Sequence, residues 1–98
     1  MTIQEIKENE TATLKLAGRL DTTTSPELEQ KINALGADVK HLVLDMEELS
    51  YVSSAGLRVI LGAQKKMSRA GSLKLLKVCD AVMEVLEMTG FADILDIG

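Results

Sequence analysis

Residues 40–69 read KHLVLDMEELSYVSSAGLRVILGAQKKMSR, and the fold follows from how this stretch divides. Leu42, Val43 and Leu44 form a short unbroken apolar run ended by Asp45, the pattern of a strand buried on both faces within a parallel sheet. From Ser54 onward the period becomes helical. Leu57, Ile60, Leu61, Ala63 or Gln64, and Met67 share one face. Lys65, Lys66 and Arg69 gather at the far end, where positive charge suits the helix dipole, and Ala70-Gly71 ends the helix. Between strand and helix, Glu47 to Gly56 is expected to form a loop.

On the N-terminal side, residues 11–17 (TATLKLA) put Ala12, Leu14 and Leu16 on one side and Thr13 and Lys15 on the other, the period of a half-buried strand. Residues 2–7 read as a weaker strand paired with it across the polar turn at Glu8, Asn9 and Glu10. After Gly18, a loop from Arg19 to Thr24 leads into a helix with Thr24 or Ser25 as N-cap and Pro26 in its first turn. Leu28, Ile32 and Leu35 form its stripe, and Gly36 is expected to close it in a left-handed conformation. On the C-terminal side, residues 73–78 (LKLLKV) predict a strand. Asp80 caps a third helix carrying Val82, Val85 and Leu86 and stopped by Gly90, and residues 94–97 form a last strand. The order β-β-α-β-α-β-α-β implies a single α/β domain over residues 1–98. Its central sheet is expected to be mostly parallel with about five strands, an N-terminal antiparallel hairpin and helices packed on it.

Composition narrows the function classes. Of 98 residues, 46% are hydrophobic and only Tyr51 and Phe91 are aromatic, so the core must be built from Leu, Val, Ile, Met and Ala. A net charge of −4 argues against phosphate-backbone binding, and base stacking lacks its aromatic platforms; no nucleic-acid partner is expected. The single Cys79 excludes an internal disulfide and fits a reducing compartment. No leader pattern opens the chain and no apolar run approaches the roughly 18 residues of a spanning helix, so a cytoplasmic protein, monomeric when free and without a membrane partner, is expected. His41 has no Cys or second His to join it as a metal ligand, and Cys79 reads as a small packing residue. Met46, Met67, Met83 and Met88 read as packing as well, and no cofactor is expected.

In parallel α/β sheets, ligands and partners gather where strand ends lead into helix N-termini. Two segments qualify, Arg19 to Ser25 and Glu47 to Gly56, and the second carries Ser53-Ser54-Ala55-Gly56. A serine here can act as a cap, its hydroxyl satisfying a free amide of the first turn. The same free amides and positive dipole end also favour an added phosphate, with Ala55 and Gly56 keeping the approach open. Arg58 lies four residues after Ser54, one turn along the same face. Its charge opposes the dipole there, and it can either pair with a phosphate on Ser54 or stand solvated against Glu47 or Glu48.

The stretch DMEELSYVSSAGLRVILG at 45–62 resembles the STAS domain family, and within it the bacterial anti-sigma factor antagonists. GRLD at 18–21, KHLVLDM at 40–46 and LEMTGFADIL at 86–95 agree in order and spacing, so the resemblance covers essentially the whole chain. In that family the loop typically reads Asp-Ser-Ser/Thr-Gly and the first Ser after Asp is phosphorylated. The resemblance therefore implies Ser54 as phosphoacceptor. Asp21 matches a loop acid that lies beside the phosphosite in relatives, and the partner-binding set becomes Asp21, Thr22, Thr23, Ser53, Ser54, Ala55, Gly56 and Arg58. This chain departs in having Ser53 at the Asp position and Ala55 after the acceptor, which leaves Ser53 as a rival site.

The implied function is partner switching. The unphosphorylated domain binds an anti-sigma factor that is itself a serine kinase and so releases a sigma factor; phosphorylation of Ser54 ends the complex, and a serine phosphatase resets it. The domain is then a substrate and no enzyme. A hydrolase using Ser54 as nucleophile needs a base in reach, yet the sole His41 lies at the opposite end of the strand and no G-x-S-x-G elbow surrounds Ser54. The remaining alternative keeps the fold: a free-standing STAS regulatory module of a stress-sensing assembly, or of a transporter or lipid-trafficking system.

Overall fold

A two-residue turn, Asn9-Glu10, joins β1 (Thr2–Glu8) to β2 (Thr11–Leu20) in the computed structural model, which describes residues 1–98. Asn9 sits in the left-handed region at φ 55°, which its short polar side chain tolerates. The pair is antiparallel, with Thr2 opposite Ala17 and Glu8 opposite Thr11. β3 (His41–Val52), β4 (Ser72–Leu76) and β5 (Asp96–Ile97) follow in parallel, giving one five-stranded sheet in the order β1-β2-β3-β4-β5. The crossovers are α1 (Ser25–Asn33), α2 (Ser54–Ala70) and α3 (Asp80–Met88), the last followed by a 3₁₀ turn at Phe91–Asp93. The expected α/β class, hairpin and element order are all present.

Only one face of the sheet is covered. Ala12, Leu14 and Leu16 of β2, Leu42 and Leu44 of β3, and Leu73 and Leu75 of β4 line up across the ladder beneath Leu28, Ile32, Ile60, Ala63 and Met67 of α1 and α2. The alternate positions Thr13, Lys15, Val43 and Lys74 are half-buried or exposed. The apolar run at 42–44 is therefore not buried on both faces as expected, since Val43 turns toward the open side.

The larger correction concerns Glu47 to Gly56, which is not a loop. β3 continues through Val52, pairing Glu48 with Ala17, Leu49 with Gly18, Tyr51 with Arg19 and Val52 with Leu20. Two register shifts, between Lys15 and Ala17 and between Gly18 and Arg19, each place an extra residue in β3. They convert a period of two into a spacing of three between the buried Met46, Leu49 and Val52, which hides the strand from a search for alternation. Asp45, mostly buried, does not end the strand either. Its Oδ1 accepts the Glu47 amide at 3.1 Å beside the first shift, and Lys77 Nζ lies 3.9 Å from Oδ2.

Other boundaries move less. α1 ends at Asn33 with Ala34 as a right-handed C-cap, so Gly36 is not its left-handed terminator. Cys79 is the N-cap of α3, with Asp80 as its first residue. Gly90, at φ 80°, does stop α3 in the left-handed conformation that suits glycine. Met46 and Met67 are buried, whereas Met88 is 80% exposed and packs nothing. Leu61 and Gln64 are only half-buried, and Val59 joins the buried face of α2 in their place.

Candidate partner-binding site

The β2–α1 and β3–α2 junctions lie side by side, because the last residues of β2 and β3 are ladder partners. Leu20 pairs with Val52, and the Ser53 amide continues the ladder onto the Leu20 carbonyl at 2.9 Å. The β3–α2 junction has a single linking residue. Ser53 is the N-cap, with extended backbone and its Oγ accepting the Gly56 amide at 3.3 Å. Ser54 is the first helical residue, is exposed, and its hydroxyl takes part in no hydrogen bond within the chain. Adjacent serines thus divide two tasks: one closes the helix and the other is left free at its positive end.

Ala55 is half-buried and Gly56 is buried. Gly56 does not hold an approach open, which corrects the sequence-based expectation. A Cβ there would fall 2.7 Å from Leu20 Cγ and 2.9 Å from the Leu20 carbonyl oxygen. The glycine lets the first turn of α2 close onto the end of β2, and this contact fixes where Ser54 stands.

The β2–α1 junction is held by its own polar groups. Asp21 Oδ1 accepts the Thr23 and Thr24 amides, both at 3.0 Å, and lies 3.2 Å from Thr24 Oγ1. Thr24 Oγ1 accepts the Asp21 amide and donates to the Arg19 carbonyl at 2.7 Å, while the Ser25 hydroxyl donates to the Asp21 carbonyl. These contacts, led by the Thr24 amide, hold the Asp21 carboxyl below the usual carboxylate range. Thr22 and Thr23 point their side chains to solvent.

Two hollows lie along the first turns of α2, sharing Arg58. One, of about 310 Å³, is lined by Ser54, Leu57, Arg58, Leu61, Thr89 and Phe91, so α3 and the 3₁₀ turn form its far wall. The other, about 160 Å³, holds Thr22, Ser25 and Glu29 from the α1 side with Ala55 and Arg58. Of the sequence-selected residues, Thr22, Ser54, Ala55 and Arg58 line these hollows, with Gly56 buried beneath, while Asp21, Thr23 and Ser53 belong to the two adjoining junctions and line neither. Both selected segments held half of a pair that sequence reasoning missed, Arg19 and Tyr51. The Arg19 guanidinium stacks 4.2 Å from the Tyr51 ring centre, on the exposed side of the same strand ends. Only the shifted register brings the two together, and no local pattern signals it. His41 opens β3 at the opposite end, its Nδ1 2.8 Å from Ser72 Oγ, far from Ser54 along a 12-residue strand. No group of His, Cys, Asp and Glu side chains could hold a metal ion. No helix is long and apolar enough to cross a membrane.

Comparison with known proteins agrees with this architecture. The family model for the STAS domain matches residues 2–98. An anti-sigma-B factor antagonist of Bacillus subtilis is 32% identical over 95 residues, covering 95% of this chain and 87% of the relative. One from Listeria monocytogenes is 34% identical, covering 95% and 85%. Among solved structures, an anti-sigma factor antagonist from Mycobacterium paratuberculosis superposes with a TM-score of 0.87 at 23% identity, over 98% of this chain and 83% of that one. The Bacillus cell fate determinant SpoIIAA in its phosphorylated form superposes at 0.77 with 23% identity, over 99% and 91%.

Proposed function

This chain belongs to the STAS domain family, and from that membership we propose that it is an anti-sigma factor antagonist controlled by phosphorylation of Ser54. The unmodified protein binds an anti-sigma factor that is also a serine kinase, and a sigma factor is thereby released. The kinase transfers the γ-phosphoryl group of ATP to the Ser54 oxygen, ADP leaves with the kinase, and the complex separates. A serine phosphatase returns the protein to its binding form. The chain itself is the substrate.

The observation that carries this reading is the division between the two serines. Ser53 is committed to the cap, and Ser54 offers an exposed hydroxyl at the positive end of a 17-residue helix. Asp21, Thr22, Thr23, Ser53, Ala55 and Arg58, on the two adjoining junctions and the first turns of α2, are the partner contacts of this reading, with Gly56 acting through its packing. Release needs no change of fold. A phosphate brings roughly −1.5 to −2 charges into a close interface, and losing about 2.8 kcal/mol weakens binding about a hundredfold. The test is direct binding of a purified anti-sigma factor kinase. Unmodified protein is expected to bind and Ser54→Glu to bind at least tenfold more weakly; no binding of the unmodified form contradicts the proposal.

A further inference from the structure

Arg58 is a cation without a partner. The ion pairs of the chain draw on Lys7, Lys31 and Lys77, and Lys66 donates to the Ile32 carbonyl. Glu47, one of the acids that could have held Arg58, lies instead 3.8 Å from Lys77 Nζ. Arg58 is exposed, enters no ion pair or hydrogen bond, and lies close to the positive end of α2, where the dipole works against it. No acidic residue occupies the first turn of α2 to offset that charge.

Its position relative to Ser54 is specific. The two are one helical turn apart on one face, and both line the hollow formed with Leu57, Leu61, Thr89 and Phe91. The α3 side of that hollow supplies only the uncharged Thr89 and Phe91. On its other side Arg58 shares the second hollow with Glu29 of α1, the one carboxylate among its lining residues, with no ion pair between them. A charge pair formed at the mouth of the first hollow has apolar groups beneath it and loses less to water than one on an open surface.

Building on the phosphorylation proposed above, we infer that Arg58 is the internal counter-ion of phosphorylated Ser54. The guanidinium reaches back one turn and pairs with the phosphate, a match of planar donors to phosphate oxygens. Part of the added charge is then neutralised within the helix, and the conflict between Arg58 and the dipole is relieved in the same step. The phosphorylated form gains a contact that the unmodified form lacks.

The experiment uses protein with phosphoserine installed at position 54 during translation, so it does not depend on any kinase. Phosphorus NMR titration at low salt follows the second ionisation of the phosphate in wild type, Arg58→Lys and Arg58→Ala. The wild-type value is expected to lie about half a pH unit below that of Arg58→Ala, with Arg58→Lys between them and the difference shrinking in high salt. Identical values in wild type and Arg58→Ala overturn the inference. A kinase that leaves Ser54 unmodified sinks the proposed function while the titration still judges Arg58. A kinase that modifies Ser54, together with no titration difference, sinks the counter-ion alone.

Discussion

The β2–α1 and β3–α2 junctions share one rim of the sheet and similar polar residues, yet they use them in opposite ways. In Asp21 to Ser25, the carboxylate, the Thr24 and Ser25 hydroxyls and several amides are tied to one another. In Ser53 and Ser54, a single cap closes the helix and the next hydroxyl is free. The first junction is a rigid wall and the second a presented group. A surface on which one protein must place a phosphate on another needs both: a fixed frame and one reactive oxygen that no internal contact claims.

The packing that joins the two junctions carries the largest expected effect. Leu20 is fully buried against Gly56. Leu20→Ala is expected to cost about 2–5 kcal/mol in urea unfolding, as a cavity in the core. Gly56→Ala is expected to cost about 1–3 kcal/mol by overpacking. Combining the two should cost less than their sum, because the shortened side chain at 20 relieves the methyl's clash with Cγ and Cδ2 while the contact with the residue 20 carbonyl oxygen stays; strict additivity would separate the junctions energetically.

The wall comes next. Asp21→Ala leaves the Thr23 and Thr24 amides without their acceptor and is expected to lower the urea midpoint, by less than Leu20→Ala does. The pH dependence sharpens this. Because the folded-state carboxyl ionises below its usual 3.8, its contribution is present at neutral pH and fades as pH falls through the lowered value. The stability gap between wild type and Asp21→Asn should therefore narrow in acid. A gap constant with pH would show that the charge of Asp21 plays no part.

The serine pair gives the smallest effects on stability and the clearest contrast. Ser53→Ala removes the cap and is expected to lower stability by about 0.5–1 kcal/mol, toward the weak end because the bond is 3.3 Å long. Ser54→Ala should lie within about 0.5 kcal/mol of wild type. Equal losses in the two variants, read from urea midpoints, would erase the division of roles.

Much of this was legible in sequence. The alternation of Ala12, Leu14 and Leu16 and the helical stripe Leu57, Ile60 and Met67 fix β2 and α2, and the positions of the buried residues agree. The same periodicity placed the start of α2 at Ser54, where the structure has it. What escaped was non-local. The two bulges that carry β3 to Val52 and stack Arg19 on Tyr51 are set by strand pairing, and their buried residues fall three apart. Gly56 looked like an opening because its sequence neighbours are small, whereas its role is set by Leu20, 36 positions earlier and adjacent only in the fold.

The most direct measurement is phosphosite mapping by peptide mass spectrometry after incubation with the cognate anti-sigma kinase and ATP, for wild type, Ser53→Ala and Ser54→Ala. One phosphate on Ser54 in wild type and Ser53→Ala, and none in Ser54→Ala, is the predicted result. Undiminished phosphorylation of Ser54→Ala, whether at Ser53 or at the exposed Thr22 or Thr23, would contradict it.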